Sequence, residues 1–94
     1  MVKINIGELM KILNDKNSLR ILFYLREYNP NVSIEELNKE LNISIEEIKD
    51  KLNELEEVGM IIHSNFLYSL SDEGRHILNR LYHELGENAP EEGV

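Results

Sequence analysis

Ser33-Ile34-Glu35-Glu36 and Ser44-Ile45-Glu46-Glu47 are two copies of one helix-start signal that lie close together in the sequence. In each copy the serine hydroxyl is placed to accept from the backbone amide three residues on, and the glutamate at that position is placed to reach back to the serine amide. The signals predict helices from Ile34 to about Leu41 and from Ile45 to about Val58, separated only by Asn42-Ile43-Ser44. Two helices joined by so tight a turn form a helix-turn-helix.

The residues before this unit predict two further helices. Apolar side chains at helical spacing predict the first helix from Ile6 to Leu13. Asp15 is placed to cap the second helix, which is apolar nearly all round and is therefore expected at the buried centre of the fold. This second helix ends near Pro30. Asn31-Val32 is expected to form a very short strand.

The residues after the helix-turn-helix predict a hairpin and a last helix. Gly59 is the stop signal of the preceding helix. Met60–His63 predicts a strand, Ser64-Asn65 a tight turn, and Phe66–Leu70 the returning strand. Ser71 is placed to cap the helix that follows, which carries a stripe of apolar side chains.

The predicted fold is therefore mainly α with a small β-hairpin wing, in the order α-α-α-α-β-β-α, which is a winged helix-turn-helix. Residues 1–85 are expected to form one domain, with the helix-turn-helix at 33–59, the wing at 60–70 and the C-terminal helix at 71–85. Residues 86–94 are expected to form a disordered acidic tail.

Composition excludes several classes of protein. The chain of 94 residues has no cysteine, which excludes disulfide frameworks, zinc knuckles, iron–sulfur clusters and thiol catalysis. No apolar run approaches the ~18 residues of a membrane span, and the N-terminus has no signal-peptide pattern, so we expect a cytoplasmic protein. Without a Gly-rich phosphate loop or a nucleophile-like setting, we expect neither an enzyme nor a cofactor.

Three stretches resemble winged-helix regulators. Leu13–Leu22 (LNDKNSLRIL) is similar to the L-x-D-P-x-R-L-R-I-L stretch of ArsR-type repressors, and Leu41–Met60 resembles their L-G-L-S…L-x-x-L-x-x-A-G-L segment. Tyr68–Leu78 (YSLSDEGRHIL) is similar to the Y-x-L-T-x-x-G-x-x-x-L signature of many winged-helix regulators, including MarR-like ones. The resemblance covers about residues 6–85. It implies a homodimeric transcriptional regulator that binds double-stranded DNA.

The resemblance also implies which residues contact DNA, because the second helix of a helix-turn-helix lies in the major groove. In this arrangement the start of that helix contacts the bases, nearby lysines contact the phosphates, and the wing makes further contacts with the DNA. The implied residues are Ser44, Ile45, Glu46, Lys49, Asp50 and Asn53 at the bases, Lys39, Lys49 and Lys51 at phosphates, and His63 and Asn65 in the wing.

The first and last helices of such regulators commonly form the dimer interface. The implied interface residues here are Leu9, Ile77, Leu78, Leu81, Tyr82 and Leu85. The alternative is that the apolar stripe of the last helix packs on its own domain.

Asp72, His76, His83 and Glu84 faintly resemble the metal ligands of some ArsR-like sensors. The spacing does not match, and His76 and His83 lie about 10 Å apart along one helix, too far to share an ion. We therefore predict no metal site.

Charge departs from the pattern of these regulators. The net charge is −8, and residues 33–59 hold nine carboxylates and three lysines, while residues 1–32 carry +2 and residues 60–94 carry −4. Approach of phosphate to Glu46, Glu47 and Asp50 costs free energy through like-charge repulsion. An alternative function is therefore a winged-helix protein-interaction module that has lost DNA binding and docks a basic partner. The short wing without permanent positive charge favours this alternative, as would an exposed Phe66 or Tyr68.

Overall fold

A computed structural model describes residues 6–28 and 31–88. Its elements in chain order are α1 (Ile6–Leu13), α2 (Lys16–Tyr28), β1 (Val32–Ser33), α3 (Ile34–Leu41), α4 (Ile45–Glu57), β2 (Ile61–Ser64), β3 (Leu67–Leu70) and α5 (Asp72–Asn88). The three strands form one antiparallel sheet in the order β1-β3-β2. The fold is the predicted winged helix-turn-helix. No helix among the described residues is long and apolar enough to cross a membrane.

Helix α2 is the central element, because it contacts α1, α3, α4, α5 and β3. Its side chains Ile21, Leu22 and Leu25 are completely buried. Asp15 caps the helix as predicted, since its carboxylate oxygen Oδ2 accepts from the Ser18 backbone amide at 3.1 Å and from the Ser18 hydroxyl at 2.7 Å. This second bond satisfies the hydroxyl of Ser18, which is itself completely buried.

The turn between α3 and α4 is held by contacts from both sides. Asn42 takes the left-handed conformation with φ of 58°, which asparagine tolerates better than most residues, and its amide donates to the Asn38 carbonyl at 3.0 Å. The Asn38 side chain donates to the Ile43 carbonyl at 2.7 Å, and Arg20 of α2 donates to the Leu41 carbonyl at 2.5 Å. The bonds to Asn38 and Leu41 satisfy carbonyls that the end of α3 leaves without partners, and the bond to Ile43 satisfies a carbonyl of the turn itself.

The junction from α4 through β2 to α5 is equally well bonded. Gly59 has φ of 88°, a conformation that favours glycine, and ends α4 as predicted. The predicted cap of α5 is confirmed, because the Ser71 hydroxyl accepts from the Gly74 amide at 2.9 Å. The same hydroxyl donates to the Gly59 carbonyl at 2.6 Å, and the Ser71 amide donates to the Met60 carbonyl at 3.0 Å.

The predicted wing turn is wrong by one residue. Ser64 pairs with Leu67, so the two-residue loop is Asn65-Phe66 rather than Ser64-Asn65. Both loop residues have positive φ, 52° and 68°. This pattern is the type I′ turn, whose twist matches that of the flanking strands.

Two other boundaries differ from the prediction. Strand β1 is Val32–Ser33 rather than Asn31-Val32, because Asn31 has φ of 69° and cannot continue an extended strand. Helix α5 continues to Asn88, past the predicted end at residue 85, because one glycine weakens a helix without ending it. The rest of the predicted tail, residues 89–94, lies outside the described residues.

Gly74 lets α5 approach the backbone at Met60 closely, since a Cβ at position 74 would overlap the Met60 carbonyl oxygen. We therefore expect Gly74→Ala to lower the free energy of unfolding by about 1–3 kcal/mol, as overpacking does, in urea denaturation. Gly7→Ala in α1 is the matched control, because Gly7 is exposed in a helix. It should leave stability unchanged or raise it. Equal loss in both variants would contradict the close approach.

Candidate nucleic-acid interface

Helix α4 presents one exposed face. The Ser44 hydroxyl accepts from the Glu47 amide at 3.1 Å and begins the helix, which confirms this part of the predicted cap. Ile48, Leu52 and Leu55 are buried on the inner side. The opposite side is exposed and carries together all the residues implied for base contacts, which are Ser44, Ile45, Glu46, Lys49, Asp50 and Asn53.

This exposed face is acidic. An open depression of about 610 Å³ runs along it, and its lining consists mostly of carboxylates. The lining residues are Ser44, Glu46, Glu47, Asp50, Lys51, Asn53, Glu54 and Glu57. Lys49 is exposed on α4, and Lys39 is exposed near the end of α3. We expect this surface to attract phosphates only weakly, because it holds two exposed lysines among many carboxylates.

Lys51 forms an ion pair within its own domain. Its Nζ lies 2.9 Å from Oδ2 of Asp15, the carboxylate that caps α2. The hydrogen bonds from Lys51 and from the Ser18 hydroxyl lower the pKa of the Asp15 carboxyl, and the bond to Asp15 raises the pKa of Lys51. A phosphate would therefore compete with Asp15 for this lysine. No local pattern in the sequence marks this pair, because Asp15 and Lys51 lie far apart along the chain.

The two cap glutamates also contact α2. We expected them to reach back to the serine amides, but the described hydrogen bonds of their carboxylates run elsewhere. Glu47 Oε2 accepts from the Asn17 side-chain amide at 2.7 Å, and Glu36 Oε2 accepts from the Tyr24 hydroxyl at 2.7 Å. The bond to Glu36 raises the pKa of Tyr24. Each helix of the helix-turn-helix is thus tied to α2 at its first turn.

The two wing residues implied for contact with DNA, His63 and Asn65, have different surroundings. The His63 ring stacks on Tyr68 with centroids 4.3 Å apart, and its Nδ1 lies 3.9 Å from Glu56 Oε1. Tyr68 packs in the core, whereas Asn65 and Phe66 form the tip. Phe66 is 86% exposed. The sequence predicts Phe66 in the returning strand and gives no reason to expect it at an interface with DNA.

The implied dimer residues divide into three groups. Leu78 is completely buried and Leu9 nearly so, both in the core of their own chain. These two are therefore not available to a second chain, because the helical stripe that suggested them also covers the domain itself. Ile77 and Leu81 are half-buried. The side chains of Tyr82 and Leu85 lie outside the described part of the structure.

The fold defines the class of protein: a winged helix-turn-helix with an exposed second helix. The chain belongs to a family of helix-turn-helix (HTH) domains, whose model matches residues 17–65, more than half of the chain. The match runs from the first turn of α2 to the tip of the wing. Membership in this family supports DNA as the partner. No curated protein matches the chain.

Lys51 and Lys49 are neighbours on α4 with different surroundings, which allows a matched comparison. We expect Lys51→Gln to lower the free energy of unfolding near neutral pH by up to about 1 kcal/mol, because it removes the partner of Asp15 at a partly exposed site. Lys49→Gln should have little effect. Urea denaturation of both variants measures the difference.

The pH dependence of that difference has a definite sign. The folded-state pKa of Asp15 is lowered, so the stabilisation is complete above its unfolded-state pKa and is lost as pH falls through the folded-state value. The gap between wild type and Lys51→Gln should therefore shrink on acidification. A gap that persists in acid, or an equal loss in Lys49→Gln, would contradict the ion pair.

Proposed function

We propose that this chain is a transcriptional regulator that binds operator DNA as a homodimer, of the ArsR-like type that its sequence resembles. The observation that carries the proposal is the family match over residues 17–65, which includes the whole helix-turn-helix. In the folded domain one face of the second helix of this unit, α4, is exposed. In this arrangement α4 enters the major groove with its first turns against the bases.

The polar side chains on that face suit contacts to base edges better than contacts to phosphates. The side chains of Ser44 and Asn53 each offer hydrogen-bond donors and acceptors to base edges. The carboxylates of Glu46 and Asp50 could accept from cytosine amino groups. Lys49 and Lys39 supply the phosphate contacts. The carboxylates repel every DNA sequence alike, so they suppress non-specific binding, and a matching site compensates through base contacts.

Helices α1 and α5 support the homodimer. Ile77 and Leu81 are half-buried on α5, and Met10 of α1 is 56% exposed. Covering such side chains in a second chain adds buried apolar surface, which helps to stabilise a domain with a small core. A two-fold dimer also matches a two-fold symmetric operator.

A second candidate function is a protein-interaction module that binds a basic partner. Two observations favour it. The Lys51–Asp15 ion pair leaves Lys49 among the carboxylates Glu46 and Asp50 on the exposed face of α4, and Phe66 at the tip of the wing is 86% exposed. A basic segment of a partner would meet favourable charge along the whole helix.

The first experiment passes fragmented genomic DNA over immobilised protein at low salt and sequences the fragments that stay bound. We expect enrichment of a short, two-fold symmetric site. Lys49→Gln should bind it more weakly and with a shallower salt dependence, the logarithmic slope falling by about 0.9 for each phosphate that the variant no longer neutralises. Lys11→Gln, an equal charge change on α1, is the control. Folded wild-type protein that enriches no site would favour the interaction module.

Sedimentation equilibrium tests the dimer. We expect the wild type to be dimeric and Met10→Lys to shift it toward monomer, because the substitution puts a charge in the proposed α1–α5 interface. Ile62→Lys is the matched control, since Ile62 is also 56% exposed but lies on the wing. A monomeric wild type, or equal dissociation of both variants, would contradict this interface.

A further inference from the structure

The tip of the wing exposes an aromatic side chain in an unfavourable backbone conformation. Phe66 has φ of 68° and follows Asn65 at 52° in the two-residue turn. Asparagine and glycine are the residues that such a turn favours, and a bulky side chain there raises the free energy of the fold. Because Phe66 is 86% exposed, burial within the chain does not offset that cost.

The wing is also the part of this acidic chain that lacks formal charge. Residues 58–71 contain no Asp, Glu, Lys or Arg, and no other stretch of the sequence without these residues is as long. The hairpin itself therefore presents no carboxylate to an approaching phosphate. The carboxylates beside it belong to α4 and α5, where Glu56, Glu57, Asp72 and Glu73 line a depression next to Ile62 and His63, away from the turn at Asn65-Phe66. This turn contrasts with the exposed face of α4, which is crowded with carboxylates.

The domain holds the hairpin in place beside α4. Strand β2 packs against α4, and Tyr68 of β3 is buried in the core with His63 stacked over it at a centroid distance of 4.3 Å. The tip is thus presented by a supported hairpin. A backbone outlier on a supported exposed loop points to a functional contact.

We propose that Phe66 is an apolar wedge that enters the minor groove of the DNA bound by α4, with the Asn65 amide donating to acceptors at the edges of A·T pairs. Proteins that bind the minor groove use asparagine in this way and insert apolar side chains between base steps. Pyrimidine–purine steps such as TpA unstack most easily, so these steps are the expected contact points. The inference rests on the proposed DNA binding.

The test compares wild type with Phe66→Gly on two properties. Glycine suits the left-handed turn, so the variant should unfold at the same or a higher urea concentration. Its affinity for a synthetic duplex rich in TpA steps should nevertheless fall by about tenfold, the size expected when one aromatic stacking interaction is removed. No charge is removed, so the salt dependence of binding should not change.

A spectroscopic signal reports the wedge directly. With 2-aminopurine next to a TpA step of the same duplex, wild type should raise the fluorescence by unstacking the base, and Phe66→Gly should not. Phe66→Leu keeps an apolar wedge and should retain part of the increase. Ile62→Thr, a change at another exposed apolar residue of the hairpin, is the control and should behave as wild type.

The outcomes separate this inference from the proposed function. Wild type that binds no DNA would overturn both. Wild type that binds the duplex with no fluorescence increase, or Phe66→Gly that binds as tightly as wild type, would overturn the wedge alone. Dissociation of the dimer by Phe66→Gly would also overturn it, by assigning the tip to contact with a second copy.

Discussion

The attachment of both helix-turn-helix helices to α2 is the constraint on which the rest of the structure depends. Asp15 caps α2 and the same carboxylate binds Lys51 of α4, while Asn17 binds Glu47 one turn earlier on α4. Beneath these bonds lies a continuous core that includes the completely buried Ile21. The three-residue turn alone could not hold α4 at one angle. Polar contacts along its first half and apolar contacts below fix that angle together, which pre-organises the exposed face.

Most of the fold was predictable from the sequence because its signals are local. A cap joins residues three positions apart, so Asp15, Ser33, Ser44 and Ser71 marked helix starts that the structure confirms. The candidate site was less predictable, since the partner of Lys51 lies on another helix. The helical spacing of apolar residues in α5 likewise shows which side chains share one face, but not what packs against each of them. In the structure Leu78 belongs to the core of its own domain.

The junction around Gly59 links the wing and α5 into one unit. Ser71 bonds back to the carbonyls of Gly59 and Met60, and Gly74 packs against the same backbone. The end of α4, the start of the hairpin and the start of α5 therefore meet at one point. A displacement of α5, the helix that we propose for the dimer interface, would be transmitted to the base of the wing through these bonds, since a packed and bonded junction does not deform continuously.

Charge and shape together suggest how an acidic helix-turn-helix could discriminate among DNA sequences. Phosphate attraction is the same for every sequence, and this chain supplies little of it from α4, where Lys51 is held by Asp15. Affinity must then come from base edges and from deformable steps, which differ between sequences. The contact that we propose for the uncharged wing would add affinity without adding sequence-independent attraction. A surface of this kind binds random DNA weakly. It can still have a high ratio of the affinity for a matching site to the affinity for the rest of the genome, and this ratio is the quantity on which a regulator depends.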